Sequence, residues 1–177
     1  MRVQSSGTLS DVSDPVAPEP AVAESEQRAL RAMDDAGLVY RRIAYGRVNS
    51  LAEAADARGV PIAAVIKTLV VRRAEDDYLF VLVPGDRAIA WPKLRELLGV
   101  SRLSMPDAAT ALEVTGYERG TITPFGSLGR WQVVADERML GREISLGAGE
   151  HGVAVVIMAD DALSALTAIV ADVTDPQ

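Results

Sequence analysis

Two apolar runs, residues 67–72 and 78–83, lie on either side of a short polar link that contains Glu75, Asp76 and Asp77. Runs of β-branched and aromatic residues divided by turn-forming acids read as a β-hairpin, and this commits the middle of the chain to a sheet. Other short strand-like runs cover residues 38–45, the surroundings of Ile122, and residues 131–135, 143–146, 153–158 and 168–173. Helices are fewer. One starts near Glu24, buries Ala29, Leu30 and Met33, and ends at Gly37. Ser50 and Glu53 form a capping box for an alanine-rich helix that runs to about Arg58 and is stopped by Gly59 and Pro61. Pro92 opens a helix over 92–98 that Gly99 closes. Residues 107–113 and 160–166 supply two more. Strands outnumber helices and several neighbours are tightly joined, so the expected class is α+β: a bent mixed β-sheet, or partial barrel, flanked by helices. A nucleotide fold is disfavoured, because there is no phosphate loop and no glycine fingerprint opening a helix; Gly147-Ala148-Gly149 reads as a turn.

At 177 residues the chain suits one domain, long enough for a sizeable core. Residues 1–23 contain Pro15, Pro18 and Pro20 among Ser, Ala, Val and acids, with no apolar periodicity, and are expected to form a disordered tail. The folded domain is expected over 24–177. Neither a secretory signal nor a membrane span is expected, since the longest apolar runs (59–66 and 162–171) fall short of the roughly 18 residues a span needs. The expected setting is cytoplasmic. There is no cysteine, which excludes disulfides, thiolate nucleophiles and Cys-based metal sites. The single histidine, His151, excludes a multi-His zinc centre, so no metal and no cofactor is expected. Net charge is -7, but residues 27–102 hold 13 bases against nine acids, and residues 103–177 hold four bases against 11 acids. A broad nucleic-acid-binding face and DNA as a partner are not expected, although a local basic patch (Arg41, Arg42, Arg47, Arg72, Arg73) fits the first half.

Lys67 stands out because only two of the 18 basic residues are lysines and this one interrupts an apolar stretch. It either snorkels from a strand edge or is held in a cleft, where desolvation would lower its pKa. Residues 115–126 place Gly116, Gly120, Gly126 and Pro124 within a short span. Such a loop can present bare N–H groups to a carbonyl oxygen or phosphate, or simply turn a corner between strands. His151 lies in a glycine-rich turn, and an imidazole is the side-chain type that suits proton transfer, though a solvated turn residue is the plainer reading. The adjacent acids Asp34–Asp35, Asp136–Glu137 and Asp160–Asp161 suit capping and helix-dipole roles.

In order along the chain, these segments resemble the YbaK/prolyl-tRNA synthetase-associated domain family of aminoacyl-tRNA editing domains. Carrying the resemblance are Ala54-Ala55 with Gly59-Val60-Pro61, Lys67-Thr68-Leu69-Val70, Val83-Pro84-Gly85-Asp86, the stretch Thr115-Gly116-Tyr117 through Gly120-Thr121-Ile122-Thr123-Pro124-Phe125-Gly126, and Ile144-Ser145-Leu146-Gly147-Ala148-Gly149. The resemblance implies a trans-acting deacylase that hydrolyses the ester of mischarged tRNA, with Cys- or Ala-tRNA(Pro) as substrate class. It implies Lys67 as the active-site lysine and Gly120, Thr121, Thr123 and Pro124 as the pocket loop. Tyr45, Asp136 and His151 fall where members carry pocket residues. The implied partners are the CCA end of aminoacyl-tRNA and prolyl-tRNA synthetase. An activated ester needs positioning and oxyanion stabilisation more than a strong nucleophile, which suits a site without Cys, triad or metal. The competing expectation is a non-catalytic module of the same fold that binds tRNA ends or a synthetase.

Overall fold

A computed structural model describes residues 22–177. All but the last two residues of the tail expected over 1–23 lie outside the described residues. The first element, α1 (Glu24–Asp35), turns Ala29 and Met33 into the core and leads into the edge strand β1 (Tyr40–Ala44). Next comes α2 (Leu51–Arg58), capped as expected: Ser50 Oγ accepts from Glu53 N–H at 3.1 Å, while the Glu53 carboxylate accepts from Asn49 N–H at 2.8 Å. A one-turn helix at Ile62–Ala64 then delivers the chain into the hairpin of β2 (Ile66–Ala74) and β3 (Asp77–Pro84). Its tight turn puts Asp76 at φ +53, a conformation aspartate tolerates better than most residues.

After β4 (Arg87–Ile89) come α3 (Trp91–Leu98) and α4 (Ala108–Thr115). The chain continues through β5 (Gln132–Asp136), β6 (Glu143–Gly147), β7 (Val153–Met158), α5 (Ala159–Ala165), β8 (Ile169–Ala171) and β9 (Thr174–Pro176). Three sheets result: β1-β7-β6, antiparallel; β2-β3-β5-β8, where β3-β5 and β5-β8 are parallel; and the β4-β9 pair. A bridge from Val65 to Ser145 joins the start of β2 to β6, so the first two sheets form one bent mixed surface. None is closed into a barrel, and the class is the α+β one expected. The strand expected around Ile122 is absent. There, Thr121 N–H bonds back to Glu118 O, Phe125 N–H turns to Thr123 Oγ1, and Pro124 has no N–H, so the groups a ladder needs are consumed locally.

Both faces of the four-stranded sheet are buried. Ile66, Val70, Phe80 and Leu82 pack with Met33, Tyr117 and the three-stranded sheet; Val71, Leu79, Val81 and Val83 pack with Leu94 of α3 and Val173. Side chains alternate across a strand, so the two sets of β2 residues point to opposite faces.

Candidate active site

One buried tyrosine sets the shape of the loop between α4 and β5. Tyr117 is fully buried, and its hydroxyl donates to Phe125 O at 2.7 Å, closing the loop across eight residues. Burial raises the phenol's pKa above its ordinary value, and the neighbouring Arg28 only partly opposes this. From α1, Arg28 lies 4.7 Å from the ring centroid and donates to the carbonyls of Gly126 and Gly116, each at 2.8 Å. Gly126 has to be glycine: a Cβ there would meet Arg28 O at 2.4 Å. At the tip of the loop, Gly149 N–H holds Thr121 O at 3.0 Å, and Gly120 adopts φ +92, a left-handed conformation that glycine tolerates best.

Gly120 separates two cavities. The first, of about 320 Å³, lies against the side of β2 that carries Ile66 and Val70 and is walled by Ile66, Thr68, Val70, Ala111, Gly120 and Ile122. The second, of about 800 Å³ and more open, is walled by the segment from Tyr45 to Leu51 with Arg58, Gly120 and His151. Leu51, Arg58 and Gly120 belong to both. A smaller, largely apolar chamber thus meets a larger and more open one across a glycine backbone.

Lys67 borders the first cavity, but its parity along β2 is that of Leu69 and Val71, the other face. Its Nζ donates to Arg87 O of β4 and to Gln177 Oε1 at 3.2 Å. Desolvation lowers its pKa below the usual lysine value, partly offset by the charge of Asp86. Tyr45 is in the second cavity, its hydroxyl accepting from Arg58 Nη2 at 2.6 Å. His151 is also there, 61% exposed at its side chain, with Nε2 3.2 Å from Glu118 Oε2. Thr121 lines a smaller adjoining hollow with His151. Thr123 and Pro124 line none of these three cavities; Thr123 is fully buried and shapes the loop from inside.

Asp136 stands apart from all three cavities. Its buried carboxylate accepts from Thr174 Oγ1 (2.8 Å), Arg138 N–H (3.0 Å), Arg138 Nη1 (3.1 Å) and Val173 N–H (3.3 Å), which pins the C-terminal strands to β5. Burial alone would raise its pKa, but these donors outweigh it and hold the carboxyl below its ordinary value. The basic patch is divided: Arg41 and Arg42 are on β1 and Arg72 and Arg73 on the far end of β2, with Arg42 paired to Glu26 and Arg73 to Asp77 at 2.7 Å.

Two residues that the sequence reading passed over belong to the site. Arg58 is shared by both cavities, and Thr68, read only as part of a motif, presents a buried hydroxyl without a partner among the described residues. Strand alternation was the available signal for Thr68, since it shares the parity of Ile66 and Val70. An arginine ending an alanine-rich helix carries no comparable signal. Among the described residues, no group of three or more His, Asp or Glu is placed to hold a metal ion, and no helix is long and apolar enough to cross a membrane.

Residues 46–165 match the family model of the aminoacyl-tRNA editing domain. The proline–tRNA ligase of Thermosipho africanus is 32% identical over 103 residues, spanning 58% of this chain and 18% of the ligase. That of Trichlorobacter lovleyi is 33% identical over 88 residues, spanning 50% of this chain and 15% of the ligase. The chain therefore corresponds to less than a fifth of these relatives. A solved structure described as a proposed trans-editing enzyme for prolyl-tRNA synthetase superimposes with a TM-score of 0.80 at 23% identity, covering 88% of this chain and 99% of its own.

Proposed function

The chain belongs to the aminoacyl-tRNA editing domain family, and from that premise we propose that it is a trans-acting deacylase that hydrolyses the ester of mischarged tRNA. The observation that carries this reading is the junction at Gly120, where a chamber of about 320 Å³, with room for an amino-acid side chain, meets a more open one of about 800 Å³ with room for a terminal nucleoside. An aminoacyl ester laid across it would place its side chain against Ile66, Thr68 and Ile122 and its ribose against Tyr45 and His151. Water attacks the carbonyl carbon, the acyl–oxygen bond breaks, and the proton passes to the ribose oxygen, releasing free amino acid and uncharged tRNA. The Gly120 N–H, which takes no part in the loop's own hydrogen bonds among the described residues, supplies an oxyanion donor, and Lys67 supplies positive charge at the chamber's border. The likeness to proline–tRNA ligases supports tRNA(Pro) as the tRNA and prolyl-tRNA synthetase as a partner; to these we add Cys or Ala as the amino acid removed and the CCA end as the part gripped.

One observation favours a second reading, a non-catalytic module that binds tRNA ends: the Lys67 ammonium is turned to Arg87 O and Gln177. Release of amino acid from a panel of charged tRNAs, Cys- and Ala-tRNA(Pro) included, by wild type and Lys67→Ala decides between them. Lys67-dependent release of one amino acid is expected. Absence of release by folded wild-type protein would overturn the deacylase reading in favour of the binding module, and wild-type turnover by Lys67→Ala would remove the lysine from the mechanism.

A further inference from the structure

Arg58 is the most deeply buried arginine described, with 9% of its surface exposed, and no carboxylate lies within ion-pair distance among the described residues. A guanidinium has five N–H donors. Here two are used, both on neutral oxygens: Nη1 to Ser145 Oγ at 3.4 Å and Nη2 to Tyr45 Oη at 2.6 Å, while Nε has no partner. The Tyr45 ring lies under the charge, 5.1 Å from the guanidinium carbon. Taking a charge out of water without a counter-charge is costly, so an arginine kept this way is preorganised for an anion that arrives with a ligand.

The second cavity fits that ligand. Its wall holds Arg47, Arg58 and His151 and no acidic residue, in a chain with seven excess negative charges. Three acids reach this wall from outside it, each on a group other than Arg58: Glu118 faces His151 Nε2 at 3.2 Å, Glu150 accepts from His151 N–H at 2.9 Å, and Glu53 accepts from Asn49 N–H at 2.8 Å. The first cavity is not a comparable anion site, because Asp107 is on its wall. Tyr45, just after β1, and Ser145, from β6, fix the guanidinium plane at the junction with the first cavity. A phosphate bound there would lie within one nucleoside's reach of Gly120.

We propose that Arg58 forms the anion site of the second cavity and binds the 5′-phosphate of the terminal nucleoside of the acceptor strand, with Tyr45 and Ser145 orienting its fork. This rests on the editing reading for the identity of the ligand, but its test does not need deacylation. Adenosine and adenosine 5′-monophosphate are titrated into the full chain and followed by NMR chemical shifts, with wild type, Arg58→Gln and Arg58→Lys compared. Wild type is expected to bind the monophosphate about tenfold more tightly than the nucleoside, through charge-assisted hydrogen bonds to the phosphate. The ratio is expected to fall to about one in Arg58→Gln and to an intermediate value in Arg58→Lys, since an ammonium keeps the charge and loses the fork. Equal binding of the two ligands by wild type, no shift with either, or an undiminished ratio in Arg58→Gln each overturns the proposal. Should Arg58→Gln fail to fold, an undiminished ratio in Arg58→Lys does so. Deacylation without monophosphate preference would sink the anion site alone, and monophosphate preference without deacylation would sink the editing reading alone.

Discussion

Tyr117→Phe removes a single oxygen from the centre of the site's loop, and its consequences can be worked through. The hydroxyl is fully buried and donates at 2.7 Å to Phe125 O, itself in a buried residue, so the substitution strands an acceptor with no ready access to water. Stranding a buried polar group costs about 1–3 kcal/mol, and for a chain of this size each kcal/mol lowers Tm by roughly 2–4 °C. The expected drop is therefore roughly 2–12 °C in a thermal melt. Tyr40→Phe is the internal comparison. That hydroxyl donates to Asp34 at 2.8 Å near the surface, where burial and the Asp34 carboxylate push its pKa up to about 12, and water can replace the lost bond. Its Tm should change by no more than about 2 °C, as for an exposed polar substitution. Deacylation at 25 °C, where both variants are folded, should fall in Tyr117→Phe and stay at the wild-type level in Tyr40→Phe, because only the former holds the loop that carries Gly120. Equal melting of the two variants would refute the claim that this bond closes the loop. A destabilised Tyr117→Phe with full activity would show that the loop's shape is not what the chemistry needs.

Thr68→Val removes a buried hydroxyl that has no partner while keeping the side chain's shape, so stability should hold or rise by up to about 1 kcal/mol in urea melts, and deacylation should fall about tenfold if the substrate supplies the missing partner. Gly120→Val should abolish deacylation of every charged tRNA. A Cβ there meets His151 Cε1 at an ordinary 3.7 Å, so the stability loss should be only the left-handed backbone strain of about 1–2 kcal/mol, which a thermal melt measures. Asp136 has a native pKa below its unfolded value near 3.9, so its stabilisation is full above that value and is lost as pH falls through the native one. Asp136→Asn should accordingly be less stable than wild type at pH 7, and the gap should narrow as urea melts are taken progressively below about pH 3.9.

The hairpin, the capping box at Ser50 and the helix opened by Pro92 were legible because each is a local device: alternation, a side chain three residues from its target, a fixed φ. β4 and β9, three residues each, are too short for any periodicity and exist because they pair with one another across the chain. Residues around Ile122 are apolar enough for a strand but are bent by local hydrogen bonds that a hydrophobic pattern does not encode. Within the site, Gly120, Tyr45 and His151 were named from the resemblance, and the second cavity brings them together. The roles of Arg58 and Thr68 depend on which neighbours their side chains lack, and missing partners leave no trace in a sequence.

Asp136 and Lys67 are nonetheless connected, on the face of the sheet opposite the first cavity. Lys67 donates to Arg87 O; the Arg87 guanidinium donates to Thr174 Oγ1 at 2.6 Å and Thr174 O at 3.1 Å; and Thr174 Oγ1 donates to Asp136. A carboxylate outside the cavities thus fixes the strand that supports the lysine's acceptor. Elsewhere, acids are matched to other cations: Glu26 to Arg42, Asp77 to Arg73, Asp172 to Lys93 and Arg138. Asp107, the one acid on the wall of the first cavity, uses its carboxylate to cap α4 through Thr110 N–H at 2.8 Å. The hydrogen bonds of Lys67 and Arg58 go to neutral oxygens among the described residues, although the charge of Asp86 also acts on Lys67. An acidic chain would repel a polyanionic substrate at most of its surface; among the described residues no carboxylate is paired to Arg58, and this leaves one cation without an ion-pair partner where the two cavities meet.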